Sequence, residues 1–485
     1  MSLTVEPSAY SLLPAAVAIV LAFVTRNAII ALFCGVVAGG LVMAGNSPDI
    51  STWFANANFV KNLFLPALGQ ESYATILLVY LWCLGGLMGL WERTGAALHF
   101  ANLVGSKVVK GPRSSLFFAW LMGCIFHQGG TVSTVLAGAT VKPLTDRYRV
   151  SHEEVAYVVD STASPVATVL PFNAWPGFIS ALVLGTVFPL FETEEQSLNF
   201  FFSSVKYNFY GFIALTFTLL FAIDKLPWVG RRMKLAKERS RSTGQLNREG
   251  AKPMLPSKEE QDSMLADQAS NYLPSLLDFL IPLGVLLSLT VIPILVFGTS
   301  LINEAFMASL LSAIFVAAIR GMKAGIIMDA FIDGCKTMTI GAIILGLAVT
   351  IGHVSKELHT AAFLVSQIGD QIPAIALPAV LTVLCMVIAF SCGTSWGTYA
   401  VVFPIAMPLA WSIQQDPEFL AVCFGAVLGG AVFGDQCSPI SDTTILSAMF
   451  SGCDLMDHVN TQWPLALSAA SLGCLASTFC AWLVL

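Results

Sequence analysis

Long apolar segments alternate with short polar stretches along most of this chain. About 20 helical residues cross the hydrocarbon core of a bilayer, and the apolar segments approach or exceed that length. In chain order they are Leu12–Val24, Ala28–Gly45, Ala74–Trp91, Ser115–Val141, Val155–Phe191, Phe200–Ile223, Ser275–Phe297, Ala305–Ile319, Met338–Ile351, Ala374–Trp411, Phe419–Phe450 and Trp463–Leu485. This pattern predicts an all-α polytopic membrane protein.

A polar stretch in the middle of the sequence separates two apolar halves. We expect a first transmembrane repeat at residues 1–223, a charged linker at 224–274 and a second transmembrane repeat at 275–485. The linker is too charged and too poor in aromatic residues to fold alone. Its section Arg231–Arg241 holds six basic residues and one acidic residue. Since Lys and Arg accumulate on the cytoplasmic side, we predict a cytoplasmic linker and a bacterial-type cytoplasmic (inner) membrane.

The same order of polar interruptions occurs near the end of each half: Phe-x-x-Gly, then Pro-Leu, then Asp followed by Ser-Pro. These stretches are Phe126–Thr131, Lys142–Leu144 and Asp160–Pro165 in the first half, and Phe390–Thr394, Met407–Leu409 and Asp435–Pro439 in the second. Gly, Pro and Ser at such positions interrupt a membrane helix. We therefore predict two structurally repeated halves, inverted relative to each other, with broken helices or re-entrant hairpins.

The composition excludes several classes of protein. Hydrophobic residues make up 56% of the chain and charged residues 11%, whereas an ordinary soluble domain has about 25% charged residues. The net charge of -6 and the lack of a basic face argue against nucleic-acid binding. The 11 Cys include no C-x-x-C pair, so we interpret them as packing residues. The first basic residue is Arg26, so the first apolar segment is expected to be an uncleaved span.

Broken helices in corresponding positions of two repeats are typical of a transporter's binding site. The stretch Gly434–Thr444 is the strongest candidate, because Asp435 and Asp442 flank a Ser-Pro break among hydroxyl side chains. Hard cations prefer carboxylate, hydroxyl and carbonyl oxygens. The predicted cation- and proton-binding residues are Asp160, Ser161, Thr162, Ser164, Asp435, Ser438, Ser441, Asp442 and Thr443. The alternative is that these residues only cap half-helices.

The three buried carboxylates suggest how exchange would work. An ionised Asp at membrane depth is unfavourable unless it has a partner, and either a proton or Na+ can neutralise it. Competition of Na+ and H+ at Asp160, Asp435 and Asp442 is what obligatory exchange requires, given alternating access. The expected function is therefore secondary active transport with Na+ and H+ as the transported or coupling ions and no cofactor.

Three stretches carry a family resemblance: Gly434–Ala448 (GDQCSPISDTTILSA), Gly393–Ala410 and Lys142–Ala167. They resemble the signature stretches of NhaC-type Na+/H+ antiporters, a family of the ion-transporter superfamily. The resemblance implies inverted repeats and helical hairpins. It also implies that the cation path is lined by Asp160, Asp435, Ser438, Asp442 and Thr443.

Two positions depart from the pattern that the resemblance leads us to expect. An acidic pair is expected after the Phe of the first broken segment, where this chain has His127 and Gln128. These two residues, with Asn173, Thr394 and Ser395, are candidates for a substrate pocket or a proton relay. The superfamily also includes exchangers of small organic acids. The alternative function is therefore Na+- or H+-coupled transport or exchange of a small organic solute, such as a carboxylate or an amino acid.

One motif suggests an enzyme. Gly393–Gly397 matches the G-x-S-x-G pattern of serine hydrolases, which requires a strand before the nucleophile. The flanking sequence here is apolar and typical of membrane helices, so we predict that the chain is not an enzyme. The expected partners are the lipid bilayer, a small cation, a small organic solute in the alternative function, and a second copy in a homodimer.

Overall fold

The computed structural model describes residues 8–25, 28–45, 58–69, 77–96, 99–100, 103, 107–127, 130–170, 173, 175–253, 272–297, 301–360, 363, 373–439 and 441–485. Regular structure in these ranges is helical throughout. The prediction of an all-α polytopic membrane protein is confirmed.

The helices of the first half are short, and several are separated by only a few residues. They are α1 (Leu13–Thr25), α2 (Ala28–Gly45), α3 (Leu65–Leu68), α4 (Gly85–Arg93), α5 (Pro112–Ile125), α6 (Gly130–Arg147), α7 (His152–Ser161), α8 (Ser164–Val169), α9 (Trp175–Val183), α10 (Glu194–Ser204) and α11 (Phe209–Ala222). Single π-helical stretches precede α3 and α4, at Val60–Phe64 and Leu77–Leu84.

The second half contains longer helices, and the linker contributes one helix of its own. These are α12 (Arg231–Thr243) in the linker, followed by α13 (Leu277–Phe297), α14 (Ile302–Ile319), α15 (Ala324–Glu357), α16 (Leu377–Cys392), α17 (Ser395–Ile413), α18 (Pro417–Cys437), α19 (Asp442–Ser451) and α20 (Leu455–Val484).

Four helices in the described ranges are long and apolar enough to cross a membrane. They are Ala374–Ser391, which includes most of α16, and α17, α18 and α20. A fifth span is formed by Glu194–Tyr207 and Phe209–Ala222 if these two pieces, which meet at an angle of 51°, are counted together.

The helix breaks fall where the repeated signals predict them. In the first half, breaks separate α5 from α6 and α7 from α8, and in the second they separate α16 from α17 and α18 from α19. The Pro-Leu pairs do not break a helix, because Pro143 lies inside α6 and Pro408 inside α17. The interruptions lie instead at the Gly and Ser-Pro positions, such as Gly393, which ends α16 with a φ of +68°.

Helix α18 forms the centre of the second half. Its residues from Phe419 to Cys437 are all buried. A Cβ added to Gly434 would lie 2.4 Å from both the Ala389 Cβ and the Phe390 backbone nitrogen. Small residues permit such a close approach of membrane helices, and this one brings α18 against α16.

The linker packs onto both halves of the molecule. Arg239 pairs with Glu153 at 2.8 Å and Arg241 with Glu154 at 3.0 Å, at the start of α7, where both Glu side chains are buried. Arg248 pairs with Asp457 at 3.1 Å in the first turn of α20. Residues 224–253 are therefore held by contacts with both halves. Residues 254–271 lie outside the described ranges.

Candidate functional site

Three of the helix breaks converge on Asp435, whose side chain is buried. The Ser164 hydroxyl, from the first half, and the Ser395 hydroxyl, at the start of α17, each donate to Asp435 Oδ2 at 2.8 Å. The Ser441 hydroxyl donates to Oδ1, also at 2.8 Å. One carboxylate near the end of α18 therefore receives hydroxyl groups from three separate elements and from both halves.

The local sequence explains why Ser441 is available to this site. Helix α18 ends at Cys437 because Pro439 lacks the N–H that a continuing helix would need. Ser441 is the residue before α19, but its side chain makes no capping hydrogen bond and bonds Asp435 instead. The alternative that Ser441 merely caps a half-helix is therefore wrong.

We name Asp435, Ser164, Ser395, Ser441 and Thr443 the hydroxyl cluster. The Thr443 hydroxyl belongs to it because its oxygen lies 3.1 Å from Ser441 Oγ. Its donor set consists of carboxylate and hydroxyl oxygens, which suit a hard cation. Within the described residues, no group of three or more His, Cys, Asp or Glu side chains is placed to hold a metal ion. The oxygen atoms that the hydroxyl cluster offers are those of one carboxylate and four hydroxyls.

A second polar cluster surrounds Asp160, which is 1% exposed at the end of α7. Its Oδ2 accepts a hydrogen bond from Gln462 Nε2 at 2.8 Å and lies 3.2 Å from both Thr444 Oγ1 and His458 Nε2. Asp160 Oδ1 has no hydrogen-bond partner in the described part of the chain, nor do His458 Nδ1 and Gln462 Oε1. Buried polar atoms without partners indicate a place for a proton, an ion or water.

Gln436 joins the two clusters. Its side-chain oxygen accepts from Tyr210 Oη at 2.5 Å, and its Nε2 donates to Ser161 Oγ at 2.6 Å. Its backbone oxygen accepts a hydrogen bond from Gln462. A continuous polar network therefore runs from Gln436, which follows Asp435 in the chain, to Gln462, which donates to Asp160.

The prediction that Asp442 is buried like the other two carboxylates is wrong, because this residue is exposed in the structure. It is the first residue of α19, and its side chain is exposed. Its Oδ1 accepts a hydrogen bond from the Thr443 backbone nitrogen at 2.8 Å. Asp442 directly precedes Thr443 of the hydroxyl cluster in the chain.

Other predicted site residues lie at the breaks but bond elsewhere. The Thr162 hydroxyl donates to Val158 O at 2.7 Å, within its own helix. The Ser438 hydroxyl donates to Phe390 O at 2.7 Å. Thr394 directly precedes α17 and the site residue Ser395. The G-x-S-x-G pattern around Ser395 follows a helix, α16, rather than the strand of a hydrolase.

Of the proposed substrate-pocket residues, Ser395 bonds Asp435, whereas His127 and Asn173 contact backbone carbonyls. His127 is buried, and its Nδ1 lies 2.9 Å from Cys124 O. Asn173 Nδ2 donates to Ala167 O and Leu170 O, at 2.9 and 2.7 Å, so this side chain supports the turn after α8. Gln128 lies outside the described residues.

Sequence reasoning missed several polar residues of the two clusters. His458 and Gln462 lie four residues apart on one face of the apolar helix α20, and this spacing is a signal that could have identified them. Gln436 directly follows Asp435, and Thr444 ends the candidate stretch. Tyr210 carries no such signal, since it lies in an aromatic stretch outside the repeated Gly and Ser-Pro motifs.

Known proteins resemble this chain over most of its length. It is 32% identical to an uncharacterized protein of Haemophilus influenzae over 486 residues, covering 96% of this chain and 89% of that protein. It is 30% identical to the malate-2H+/Na+-lactate antiporter of Bacillus subtilis over 41% of each chain. It is 33% identical to the Na+/H+ antiporter NhaC of Alkalihalophilus pseudofirmus over 27% of this chain and 28% of that protein.

A solved structure shares the fold, and a family model matches the sequence. The YdaH transporter of Alcanivorax borkumensis has a TM-score of 0.53 with this chain, at 12% identity, over 96% of this chain and 98% of that chain. The model of the Na+/H+ antiporter family matches residues 166–482. The predicted resemblance to NhaC-type antiporters is confirmed, and the chain belongs to the Na+/H+ antiporter family.

Proposed function

We propose that this protein exchanges Na+ for H+ across the membrane and that the hydroxyl cluster binds the Na+. The observation that carries the proposal is the convergence of Ser164, Ser395 and Ser441 on the buried Asp435. A hydroxyl that donates to a carboxylate still has two lone pairs. Rotation about its C–O bond lets the same oxygens bind a cation instead.

Protonation and Na+ binding are alternative ways to neutralise Asp435. The protonated carboxyl keeps hydrogen bonds with the three Ser hydroxyls, and the ionised carboxylate supplies the negative charge that a desolvated Na+ needs. Asp160 provides a second buried carboxylate whose Oδ1 can hold a proton, since Gln462, His458 and Thr444 all lie on the Oδ2 side. The exposed Asp442 would attract cations toward the cluster.

The carboxylate of Asp435 is tested by measuring Na+-driven proton flux in proteoliposomes that contain a pH-sensitive dye. Asp435→Asn should reduce the exchange rate at least about thirtyfold, because removing one partner of a buried charged pair costs about 2–5 kcal/mol. Asp329→Asn is the matched control, since Asp329 is exposed on α15, and it should exchange normally. Normal exchange by Asp435→Asn would contradict the proposed site.

Competition is tested by varying pH in the same assay. If Na+ and H+ share one carboxylate, each unit of acidification below its titration point should raise the half-saturating Na+ concentration about tenfold, with the maximal rate restored at high Na+. A fall in the maximal rate that Na+ does not relieve would argue against competition.

A second function, the coupled transport of a small organic solute, is favoured by the Bacillus subtilis relative named as a malate-2H+/Na+-lactate antiporter. A ligand raises the unfolding temperature of the state that it binds. We therefore expect Na+ to stabilise the purified protein, and stabilisation by a carboxylate or amino acid in addition would favour coupled solute transport. Indifference to Na+ would count against both functions.

We also propose that the linker faces the cytoplasm of a cell whose inner membrane contains the protein, since Arg231–Arg241 is its most basic section. Ser242 is exposed beside this section. A membrane-impermeant thiol reagent should label Ser242→Cys in inverted vesicles and leave it unlabelled in intact cells. The opposite pattern would reverse the orientation.

A further inference from the structure

A cavity of about 540 Å³ lies where α5 begins, α11 ends and the linker helix α12 passes both. Four cationic side chains line it, those of Lys110, Arg113, Lys237 and Arg241, and the acidic side chain in its lining is Asp224. It is separate from the hydroxyl cluster, with which it shares no residue. We name it the basic cavity.

Positive charge exceeds negative charge in the basic cavity even after its ion pairs are counted. Asp224 is shared by Arg113 at 3.0 Å and Lys237 at 2.8 Å, so one carboxylate faces two cations. Arg241 is balanced by Glu154. Lys110 is exposed and forms no ion pair with a described residue. The lining therefore leaves about two positive charges without a counter-ion.

The pKa of Asp224 agrees with this charge distribution. The hydrogen bond from Lys237, helped by Arg113 and opposed by partial burial, lowers the pKa of this carboxyl below its ordinary value. The positive end of the α5 dipole adds to the effect of the cations, because α5 begins at Pro112 in the cavity wall.

Part of the lining of the basic cavity is apolar. Leu116 and Phe221 line it, and Lys237 Nζ lies 4.9 Å from the centre of the Phe221 ring. Leu116 belongs to α5 and Phe221 to α11, and these two helices also expose Phe117 and Phe212. A lining that combines cationic and apolar side chains suits an amphiphile with an anionic head.

We propose that the basic cavity binds a phosphate group and that the source of this phosphate is the head of an anionic phospholipid. Arg113 and Lys110 line the cavity and supply charged donors, and phosphate accepts strong hydrogen bonds from such donors. Basic pockets between membrane helices at the cytoplasmic surface bind anionic lipid heads in this way. Two unbalanced positive charges exceed the single negative charge of a phosphate diester, so they favour a lipid head that carries no positive charge of its own.

Occupancy of the basic cavity is linked to the position of α7. Arg241 lines the cavity and also holds Glu154, at the start of the helix that ends with Asp160. A bound phosphate therefore stabilises the contact of the linker with the helix that carries a buried carboxylate.

The experiment measures binding of lipid to the full purified chain in detergent by native mass spectrometry, together with the unfolding temperature. The probes are dioleoylphosphatidylglycerol, dioleoylphosphatidylcholine and inorganic phosphate. The phosphatidylglycerol should bind wild type and raise its unfolding temperature, and the phosphatidylcholine should not. Stabilisation by inorganic phosphate equal to that by phosphatidylglycerol would support the site with a soluble ligand as its source.

Two variants and a control test the residues. Lys110→Gln leaves the ion pairs of the described residues intact and should weaken phosphatidylglycerol binding about fivefold, since each cation near an anionic lipid contributes about 1 kcal/mol. The double variant with both Lys110→Gln and Lys237→Gln should bind phosphatidylglycerol at least about tenfold more weakly than wild type. The control Lys234→Gln lies on the same helix, outside the cavity, and should bind as wild type. Equal binding by all variants, or by both lipids, would overturn the proposal.

Discussion

Single hydroxyl groups from three elements surround the carboxylate of Asp435. Ser441 stands where a serine ordinarily caps a helix, yet its hydroxyl turns to the carboxylate six residues earlier. The sequence predicted Ser164 and Ser441 as cation ligands because they adjoin Ser-Pro breaks. It predicted Ser395 only as a pocket residue, since the contact with Asp435 joins residues 40 positions apart, and local pattern does not encode such pairings.

Ser441→Ala should raise the half-saturating Na+ concentration of exchange about tenfold, because one oxygen ligand is lost and a buried carboxylate oxygen is left without its donor. Rates at several Na+ concentrations in proteoliposomes measure this. The control is Ser471→Ala, whose exposed hydroxyl bonds only its own helix, at Leu467 O. Unchanged Na+ dependence in Ser441→Ala would exclude its hydroxyl from the cation site.

The ion pairs of Asp224 predict how the stability of the protein depends on pH. Its pKa is lowered in the folded protein, mainly by Lys237, so its contribution to stability is present above its ordinary pKa of about 3.9. That contribution is lost as pH falls through the folded pKa. Because Asp224 is 46% exposed, the effect should stay below about 1 kcal/mol.

Thermal unfolding checks this expectation. Asp224→Asn should be slightly less stable than wild type at pH 7, and the difference should shrink as the pH falls below about 4. Asp329→Asn should match wild type at both values. A difference between Asp224→Asn and wild type that persists at low pH would mean that the ion pairs are not its cause.

At the scale of the helices, Gly and Ser-Pro decide where an element ends. The sequence predicted the four breaks, because apolar segments longer than a bilayer contain clusters of such residues. It did not predict that Pro143 and Pro408 stay inside helices. A proline is tolerated in a membrane helix when neighbouring elements satisfy the freed carbonyl, and those neighbours become known only from the fold.

Gly434→Ala tests the contact between α18 and α16. The added Cβ would meet backbone and Cβ atoms at 2.4 Å, so the helices must separate, and overpacking of this kind costs about 1–3 kcal/mol. The unfolding temperature should fall by several degrees. Gly284→Ala is the control, because nothing lies within 4 Å of its added Cβ. A wild-type unfolding temperature for Gly434→Ala would show that the two helices are not tightly apposed.

At the scale of the molecule, the linker is a structural part of the transporter. The sequence indicated its charge and its place between two repeats, and it also indicated that the segment does not fold alone. The sequence could not show where the charges go, because the partners Glu153, Glu154 and Asp457 lie far away in the chain. Several of these basic residues therefore serve as ion-pair partners in the folded protein.

Arg239→Ala should destabilise the protein by about 3 kcal/mol, because it leaves the buried Glu153 without its charged partner. Chemical or thermal unfolding in detergent measures the change. Arg232→Ala, at an exposed position on the same helix, should change stability by less than about 0.5 kcal/mol. Equal effects of the two substitutions would mean that the Arg239–Glu153 pair adds no stability.

The side chains of residues 231–253 form ion pairs with both halves. The two halves are therefore held together by noncovalent contacts as well as by the covalent chain. The chain can be divided between residues 253 and 272 into an N-terminal and a C-terminal fragment. When both fragments are expressed in one cell, they should associate and form a working transporter. Arg239→Ala and Arg248→Ala should impair that reassembly far more than they impair the intact chain. Co-purification of a tagged first fragment with its untagged counterpart would measure this complementation.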